Sequence, residues 1–473
     1  MTFSLSRRLL CVALPLLALL ASCGGGGSSA ASSTTTATPA TPTLMSIAVT
    51  PVNAVVAVGV SQQFSATGTY SDGKVTPLTT GVTWSAAGTN VSILFSTGLA
   101  TGKSVGSETV TATVGTVSGS TKLLVKAPWV TMAAGGSHTL ARKADGTLWA
   151  WGLNRSGQLG DGSAADRLVP TLVGTATNWT SVAAGEFHSV GVRADGTMWA
   201  WGFNQNGQLG DGTTIDRAAP VKITTTSGWV AVAAGKSHTV ALKSDGTLWA
   251  WGRNFNGQLG DGTNTDRLVP TKIGVAVNWK DIGAGDQHTL ARRSDGTLWA
   301  WGGNASGQVG NGGNTDQKTP VQIVGTTWVA LAAGANHSLA IRADGAMFGW
   351  GSNSNGQLGN DSTTDANAPT QVGTDANWAG VSAGALHTLA VKANGSLWAF
   401  GANGDYQLGD GSGFDSASPL RIGTASTWTI LSAGRLHSFA LQADGTLWGW
   451  GRDLEGQQGD GKQVDVQLPV NLP

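Results

Sequence analysis

The amino-acid sequence predicts an all-β protein in which a seven-bladed β-propeller follows a small β-sandwich. Seven histidines recur at intervals of 50, 50, 50, 49, 50 and 50 residues, and 19 of the 20 tryptophans fall within the same repeats. A fixed period of this length is typical of repeat architectures. Glycine makes up 70 of the 473 residues, and high Gly with many Trp favours short strands joined by tight turns.

Residues 1–22 have the pattern of a secretion signal. A pair of arginines precedes an apolar run over residues 9–20, which is too short to span a membrane comfortably. The run ends in Leu-Ala-Ser-Cys-Gly at 20–24, which resembles the bacterial lipobox. The resemblance implies that Cys23 is diacylated, by chains such as palmitate, and becomes the first mature residue. Because Gly24 rather than Asp follows, it also implies an outer-membrane lipoprotein, facing the periplasm or the exterior. An ordinary signal peptide with an incidental Cys is the alternative.

Residues 23–43 follow as a tether rich in Gly, Ser, Thr and Pro, in which no segment can pack. Residues 44–126 change to short, alternating β-branched segments, for example at 47–50 and 110–113, punctuated by turn residues. We expect Phe64 and Trp84 to anchor the core of this sandwich.

This segment resembles the bacterial immunoglobulin-like group 2 domain. The resemblance is carried by Ser-Ile-Ala-Val-Thr-Pro at 46–51, Tyr-Ser-Asp-Gly at 70–73, Val-Thr-Trp at 82–84 and Gly-Leu-Ala at 98–100. It implies a small immunoglobulin-like β-sandwich that serves as a spacer or, less often, as an adhesive module. We favour the spacer role.

The repeats occupy residues 127–473, and the third unit illustrates their content. Residues 229–235 form a strand ending at Gly, and His238 opens a second strand. An Asp-Gly pair at 245–246 predicts a two-residue hairpin turn of type I′. The third strand, residues 247–252, carries two Trp that are two positions apart and therefore share a face. A long loop and a short fourth strand at 270–273 complete the unit, and four antiparallel strands repeated seven times favour a propeller.

These units resemble the regulator of chromosome condensation repeat family. The recurring motifs are Ala-Gly-x-x-His, Asp-Gly-Thr-Leu-Trp-Ala-Trp-Gly and Gly-Gln-Leu-Gly-Asp-Gly. The resemblance implies a seven-bladed propeller closed by strands from both chain ends. We therefore expect residues 469–472 to pair in the blade that contains residues 129–133, and deletion of residues 466–473 to lower the melting temperature sharply.

The repeated polar residues are predicted to be structural. One histidine per blade cannot converge on a metal with its equivalents around a ring, so we expect structural imidazoles bonded to neighbouring backbone. Asp-Gly carboxylates such as Asp145 and Asp195 are assigned to turns. Calcium is an alternative for a second acidic set, as in residues 211–216, although structural turns are favoured there too. The structural histidines are His138, His188, His238, His288, His337, His387 and His437.

No catalytic residue, metal site or cofactor is predicted. Both cysteines lie within the first 23 residues, so the folded region cannot form disulfides or Cys-based zinc sites. The Gly-Gln-Leu-Gly-Asp-Gly motif lacks the Lys-Ser/Thr ending of a phosphate loop. The 28 basic and 28 acidic residues leave no basic excess for nucleic acid.

Some members of the resembled family are guanine-nucleotide exchange factors that bind chromatin. This chain departs from them, because its unit spacing leaves no room for an inserted wedge and it has a secretion signal but no basic tail. Exchange activity is therefore not expected. Other relatives are secreted bacterial proteins, including a propeller that inhibits β-lactamases, which implies that the fold can act as a protein-binding disc.

Positions that differ between blades are candidates for function, since shared positions serve the scaffold. The loops joining strands one to two and three to four should lie on one face of the propeller. Aromatic and Arg side chains are typical interface anchors, and Phe187, Phe203 and Phe255 are predicted either to form one patch or to pack locally under their loops. The candidate protein-binding face comprises Glu186, Phe187, Phe203, Lys236, Arg253, Phe255, Leu386, Tyr406 and Arg435.

The sequence therefore predicts a non-enzymatic, membrane-tethered scaffold, expected to be a monomer, whose propeller face binds another protein in the cell envelope or outside it. Glycan or cell-wall binding, with Trp and Phe stacking on sugar rings, is the alternative. Most Trp occupy repeating strand positions, however, and are predicted to be core. An enzyme is a third possibility, for which the sequence offers no acid–base pair set apart from the repeats.

Overall fold

In the computed structural model, residues 41–325 and 327–472 are described, and they contain β-strands and no helix. The predicted all-β fold class is confirmed. The predicted signal peptide, the lipidation site Cys23 and most of the tether lie outside the described residues. A search of the described residues finds no helix long and apolar enough to cross a membrane.

Ten strands form the N-terminal module: β1 (Leu44–Thr50), β2 (Ala54–Ala57), β3 (Ser61–Gln63), β4 (Ser65–Tyr70), β5 (Val75–Leu78), β6 (Thr83–Ala86), β7 (Val91–Ile93), β8 (Leu99–Gly102), β9 (Gly106–Val114) and β10 (Val117–Lys126). They are arranged as sheets β1-β4-β5, β2-β10-β9-β6 and β3-β8-β7. Phe64 and Trp84 are buried in the core of this module, with ring centroids 6.4 Å apart, as the sequence predicts.

Seven four-stranded antiparallel sheets follow, one per repeat, and we number them blade 1 to blade 7. Blades 1 and 2 contain β11 (Trp129–Ala134), β12 (His138–Lys143), β13 (Leu148–Gly152), β14 (Arg167–Leu172), β15 (Trp179–Ala184), β16 (His188–Arg193), β17 (Met198–Gly202) and β18 (Arg217–Lys222). Blades 3 and 4 contain β19 (Trp229–Ala234), β20 (His238–Lys243), β21 (Leu248–Gly252), β22 (Arg267–Lys272), β23 (Trp279–Ala284), β24 (His288–Arg293), β25 (Leu298–Gly302) and β26 (Gln317–Gln322).

The remaining strands complete the propeller. Blades 5 to 7 contain β27 (Trp328–Ala333), β28 (His337–Arg342), β29 (Met347–Gly351), β30 (Ala366–Gln371), β31 (Trp378–Ala383), β32 (His387–Lys392), β33 (Leu397–Gly401), β34 (Ser416–Arg421), β35 (Trp428–Ala433), β36 (His437–Gln442), β37 (Leu447–Gly451) and β38 (Val466–Leu472). The first strand of each blade contacts the first strand of the next, and β11 contacts β35, so the blades close into a ring.

The Trp-rich strands build the seams between blades. Between blades 2 and 3, Trp229 and Trp251 are buried against Val190, Val192 and Met198 of the preceding blade. The partly buried Trp249 joins the same cluster, which confirms that the two Trp of the third strand share a face. The same arrangement recurs at the other six seams.

The predicted type I′ hairpin turn is wrong. Gly246 has φ 76°, whereas Asp245 is not among the residues with positive φ, and type I′ requires positive φ at both central positions. Gly246 N donates to Lys243 O (2.9 Å) and Lys243 N to Thr247 O (3.1 Å). This is the longer hairpin loop in which a turn is followed by a left-handed Gly. Asp245 Oδ1 accepts from Thr247 N (3.0 Å), which fixes the turn through its side chain.

The predicted pairing of the last strand with the first blade is also wrong. β38 pairs with β37 inside blade 7, and blade 1 is complete from β11 to β14. Repeat and blade coincide, so no strand is left over to be shared. The ring closes instead by side-chain packing, in which Leu472 joins the buried cluster of Trp129 and Trp151. Trp151 Nε1 also donates across this seam to Gln457 O (2.8 Å).

Candidate binding face

Two sets of loops lie side by side on one face of the propeller. Each first strand ends at an Ala-Gly pair, and the residue after each third strand donates a backbone hydrogen bond to the loop between the first and second strands. Phe203 N donates to Phe187 O (2.9 Å), and Arg253 N donates to Ser237 O (2.9 Å). We call this the channel face, defined by the loops that join strands one to two and three to four of every blade.

The mouth of the central channel is lined by the Ala-Gly ends of the seven first strands. Arg435 Nη1 lies 3.0 Å from Glu186 Oε1, and Lys236 Nζ lies 3.4 Å from Glu186 Oε2 and 3.9 Å from Asp286 Oδ2. Arg435 belongs to blade 7 and Glu186 to blade 2. Their side chains can meet across blade 1 because blade 1 has the small Gly136 at this position. Burial raises the pKa of Asp286, although Lys236 and Arg435 oppose the shift.

The three predicted phenylalanines are only partly brought together. Phe187 and Phe203 meet edge to face, with centroids 6.5 Å apart, and Phe187 is 36% exposed. Phe255 is 70% exposed, and the Arg253 guanidinium lies 6.0 Å from its ring centroid. Within residues 41–325 and 327–472, no ring contact joins Phe255 to the other two. The channel face therefore carries an aromatic pair and a separate aromatic–Arg unit.

Blade 6 contributes two further aromatic residues to the channel face, of which Phe414 was not predicted from the sequence. The predicted residues Leu386 and Tyr406 are both half-buried, and Tyr406 has φ 61° at a position where the other six blades have Gly. Phe414, in the long loop of the same blade, is 78% exposed. The equivalent positions in the other blades carry Ala, Ile, Thr or Val, so comparison of the blades could have found it.

The seven histidines form a ring of bonds between blades. All are fully buried, and each Nε2 contacts a Ser or Thr hydroxyl of the next blade. The predicted backbone partner is wrong, since every partner is a side chain. The pairs are His138–Ser189 (2.9 Å), His188–Thr239 (3.0 Å), His238–Thr289 (3.0 Å), His288–Ser338 (2.9 Å), His337–Thr388 (3.2 Å), His387–Ser438 (2.9 Å) and His437–Thr139 (3.3 Å).

The hydroxyls determine which imidazole nitrogen carries the proton. Ser189 Oγ donates to Gln158 O (2.7 Å), and must therefore accept from His138 Nε2. Burial, with a smaller contribution from the charge of His437, lowers the pKa of His138 to about 3, and burial lowers that of His238 to about 4. These histidines are neutral at pH 7, and their Nδ1 atoms are buried without a hydrogen-bond partner.

The repeated carboxylates are engaged in turns and loops. Asp195 Oδ1 accepts from both Thr197 N (3.0 Å) and Thr197 Oγ1 (2.6 Å). Although burial opposes it, hydrogen bonds from Ser163 and Arg167 hold the pKa of Asp161 below its usual range. Among the described residues no group of three or more His, Cys, Asp or Glu side chains could hold a metal.

Comparison with known families agrees with this geometry. The family described as "Regulator of chromosome condensation (RCC1) repeat" matches six segments that together cover more than half of the chain: 145–192, 195–242, 245–292, 295–341, 344–391 and 394–441. The chain belongs to the RCC1 repeat family. A second family of RCC1 repeats matches one segment in each blade: 129–158, 179–208, 229–258, 279–308, 328–357, 378–407 and 428–457. Residues 44–125 match the bacterial Ig-like domain (group 2).

Solved structures confirm the propeller fold of this RCC1 repeat chain. Human WBSCR16 is 22% identical, with a TM-score of 0.63 over 69% of this chain and 94% of that one. Yeast RCC1 (Prp20), in a structure with Kap60 bound, is 20% identical, with a TM-score of 0.63 over 73% of this chain and 85% of that one.

One sequence relative belongs to a different class of protein. Ice-binding protein 1 of Shewanella frigidimarina is 48% identical over 81 residues, which are 17% of this chain and 9% of that protein. The chain therefore spans less than a tenth of the length of this relative.

Proposed function

We propose that this RCC1 repeat protein is a non-enzymatic scaffold of a bacterial cell envelope, and that it binds another protein on the channel face. The observation that carries the proposal is the contrast between repeated and blade-specific residues. The seams, the histidine ring and the turns repeat around the propeller, whereas the exposed aromatic and charged groups of the channel face differ from blade to blade. Blade-specific loops on a rigid scaffold are where binding function concentrates.

The chemistry of this face fits a protein partner. Phe187, Phe255 and Phe414 are exposed apolar side chains, and Arg253 and Arg435 are exposed on the same face. Aromatic and Arg side chains are enriched at protein interfaces, where a few residues carry most of the binding energy. The ion pairs at the channel mouth are partly exposed, so they would contribute more to orientation and specificity than to affinity.

Glycan binding by the Trp residues has less support. The second Trp of the third strand is fully buried in each blade that has one, as at Trp251. The first is half-buried and covered by a cation in several blades: Arg193 lies 4.5 Å from the Trp179 ring and 3.9 Å from the Trp199 ring. These indole faces are already occupied within the blade.

We also propose that the chain is a lipoprotein anchored through Cys23, with the immunoglobulin-like module as a spacer. The lipobox-like motif at 20–24 and the tether that follows support this. The segment shared with Ice-binding protein 1 is too small a part of that protein to carry ice binding to this chain. Labelling cells with radioactive palmitate should mark the wild type but not Cys23→Ala. Label retained by Cys23→Ala would contradict the anchor.

The binding proposal is tested by cross-linking the affinity-tagged protein in its native cells and identifying captured proteins by mass spectrometry. We expect one enriched protein, depleted at least tenfold by the double variant Phe187→Ala/Phe203→Ala. Val275→Ala/Val324→Ala is the matched control, because these side chains are 94% and 84% exposed in loops that follow fourth strands, on the opposite face. Equal capture by both variants, or capture of glycan alone, would contradict a protein-binding channel face.

A further inference from the structure

One loop position distinguishes blade 7 from the other six blades. Two residues after the third strand, a fully buried Asn is present in blades 1 to 6, and a fully buried Asp453 takes its place in blade 7. The Asn residues are Asn154, Asn204, Asn254, Asn304, Asn353 and Asn403.

The asparagine amide fills a hole that is lined by oxygen atoms. In blade 1, Asn154 Oδ1 accepts from Leu159 N (2.9 Å). Its Nδ2 donates to Asp161 Oδ1 (3.2 Å), Ser163 O (3.2 Å) and Ala165 O (3.0 Å). The equivalent amide bonds to both loop carbonyls in blades 2 to 5 as well. This hole therefore requires a hydrogen-bond donor or a cation.

Asp453 places a carboxylate oxygen where the other blades have the NH₂ group. Its Oδ1 accepts from Gln458 N (2.8 Å), in the same way as the asparagine oxygen. Its Oδ2 therefore takes the position of the amide nitrogen, and this atom is buried without a hydrogen-bond partner. An unpartnered buried carboxylate oxygen is costly unless a cation or a proton balances it.

The blade 7 loop otherwise keeps the shared conformation. Asp453 N donates to Asp465 Oδ1 (2.9 Å), and Lys462 N donates to Asp460 Oδ1 (2.8 Å). The matching bonds in blade 1 are Asn154 N to Asp166 Oδ1 (2.7 Å) and Ser163 N to Asp161 Oδ1 (2.9 Å). Register then places the carbonyls of residues 462 and 464 beside the hole, as in blades 1 to 5.

The cation that serves this loop in blades 1 to 3 is missing from blade 7. Arg167 pairs with Asp161 at 2.6 Å, and blades 2 and 3 repeat the pair at 2.7 and 2.6 Å. The Arg position is Val466 in blade 7. Lys462 Nζ lies 3.2 Å from Asp460 Oδ2, but its side chain is 71% exposed and lies on the solvent side of the loop.

We propose that the blade 7 loop is a calcium site, formed by Asp453 Oδ2, Asp460 Oδ1 and the carbonyl oxygens of Lys462 and Val464. Two carboxylates and two main-chain carbonyls are oxygen ligands of the kind that Ca²⁺ prefers, and water can complete its six to eight ligands. Mg²⁺ fits less well, because it demands near-ideal octahedral geometry and retains most of its water. A bound Ca²⁺ would balance both carboxylates and satisfy the buried oxygen.

The test measures calcium binding to the full chain after treatment with EDTA. Isothermal titration with CaCl₂ should show one site in the wild type. At a calcium concentration about 100-fold above Kd, the melting temperature should rise by about 4 °C over its value in EDTA. Asp453→Asn restores the amide of the other six blades, so it should fold, lose the site and melt at the same temperature in calcium and EDTA.

Two further variants distinguish this site from general acidity. Asp460→Asn copies Asn311 and Asn360 of blades 4 and 5, and should also abolish binding. Asp410→Asn is the matched control, because blade 6 likewise lacks the Arg but retains Asn403, and it should bind calcium as the wild type does. The proposal is overturned if the wild type binds no calcium, or if Asp453→Asn retains the site. It is also overturned if wild-type stability falls with rising pH around 7 equally in calcium and EDTA, since Asp453 then simply holds a proton.

Discussion

Acidification should unfold the propeller through its histidine ring. Burial, as the largest cause, lowers the pKa of six of these histidines to about 3 and that of His238 to about 4. In the unfolded chain each histidine titrates near 6.5. Below that pH the unfolded state takes up protons that the folded state refuses, so stability falls as the pH falls from 6.5 towards 4.

The magnitude follows from the number of histidines. One imidazole that stays neutral when folded costs about 2 kcal/mol at pH 5, and seven together cost roughly 14 kcal/mol, which is comparable with the whole stability of a typical domain. Two carboxyls oppose the trend, because burial raises the pKa of Asp286, and raises that of Asp453 to about 7, with Asp460 and Asp465 adding to the shift. Seven groups outweigh two, and cooperative unfolding is expected near pH 5.

The assay is urea denaturation, followed by tryptophan fluorescence in half-unit steps from pH 7.5 to 4.5. His437→Gln is the informative variant, since its bond to Thr139 is the longest in the ring at 3.3 Å. Its absolute stability falls, but the slope of stability against pH should also fall, by about 1.4 kcal/mol per pH unit. Stability that is flat between pH 6.5 and 4.5, or a slope unchanged in His437→Gln, would refute this reasoning.

Three other variants test separate features. Tyr406→Gly should stabilise the protein by about 0.5–1 kcal/mol in urea denaturation, because a left-handed backbone is unfavourable for a side chain that carries Cβ; a loss of stability would show that the Tyr packing outweighs the backbone strain. Lys392 lies between two Trp rings, 4.8 and 3.9 Å from their centroids, where blade 7 has Gln442. Lys392→Gln should therefore cost about 1–2 kcal/mol, whereas Gln442→Ala, as the uncharged control, should cost less. Deleting residues 466–473 should lower the melting temperature sharply, since it removes β38 and takes Leu472 out of the closing seam; an unchanged melt would contradict the packing closure.

Local patterns were sufficient to predict the blades, but long-range partners were not predictable from the sequence. The spacing of Trp249 and Trp251 correctly placed both on one face, because strand geometry fixes that relation. The partner of His138 is Ser189, 51 residues away in the next blade, and no local pattern indicates it. The prediction that a shared strand closes the ring failed for a similar reason, because strand sharing depends on where the blade boundaries fall relative to the repeat.

The candidate face was predictable only to the level of loops. Comparison of blades identified Phe187, Phe203 and Phe255, but the side-chain directions that pair the first two and separate the third depend on packing. Asp453 was visible in the sequence as the one acidic member of an Asn column. Its importance became clear only when the structure gave the amide of the other blades three acceptors and left the carboxylate oxygen without a partner.

Photo-cross-linking from the channel face tests the central claim most directly. A benzoylphenylalanine placed at position 255, where Phe is 70% exposed, would be compared with one at position 275 on the opposite face, where Val is 94% exposed. We predict a discrete protein adduct from position 255 and none from position 275 in the native cells. Adducts that are equal from both positions, or absent from both, would contradict a protein-binding channel face.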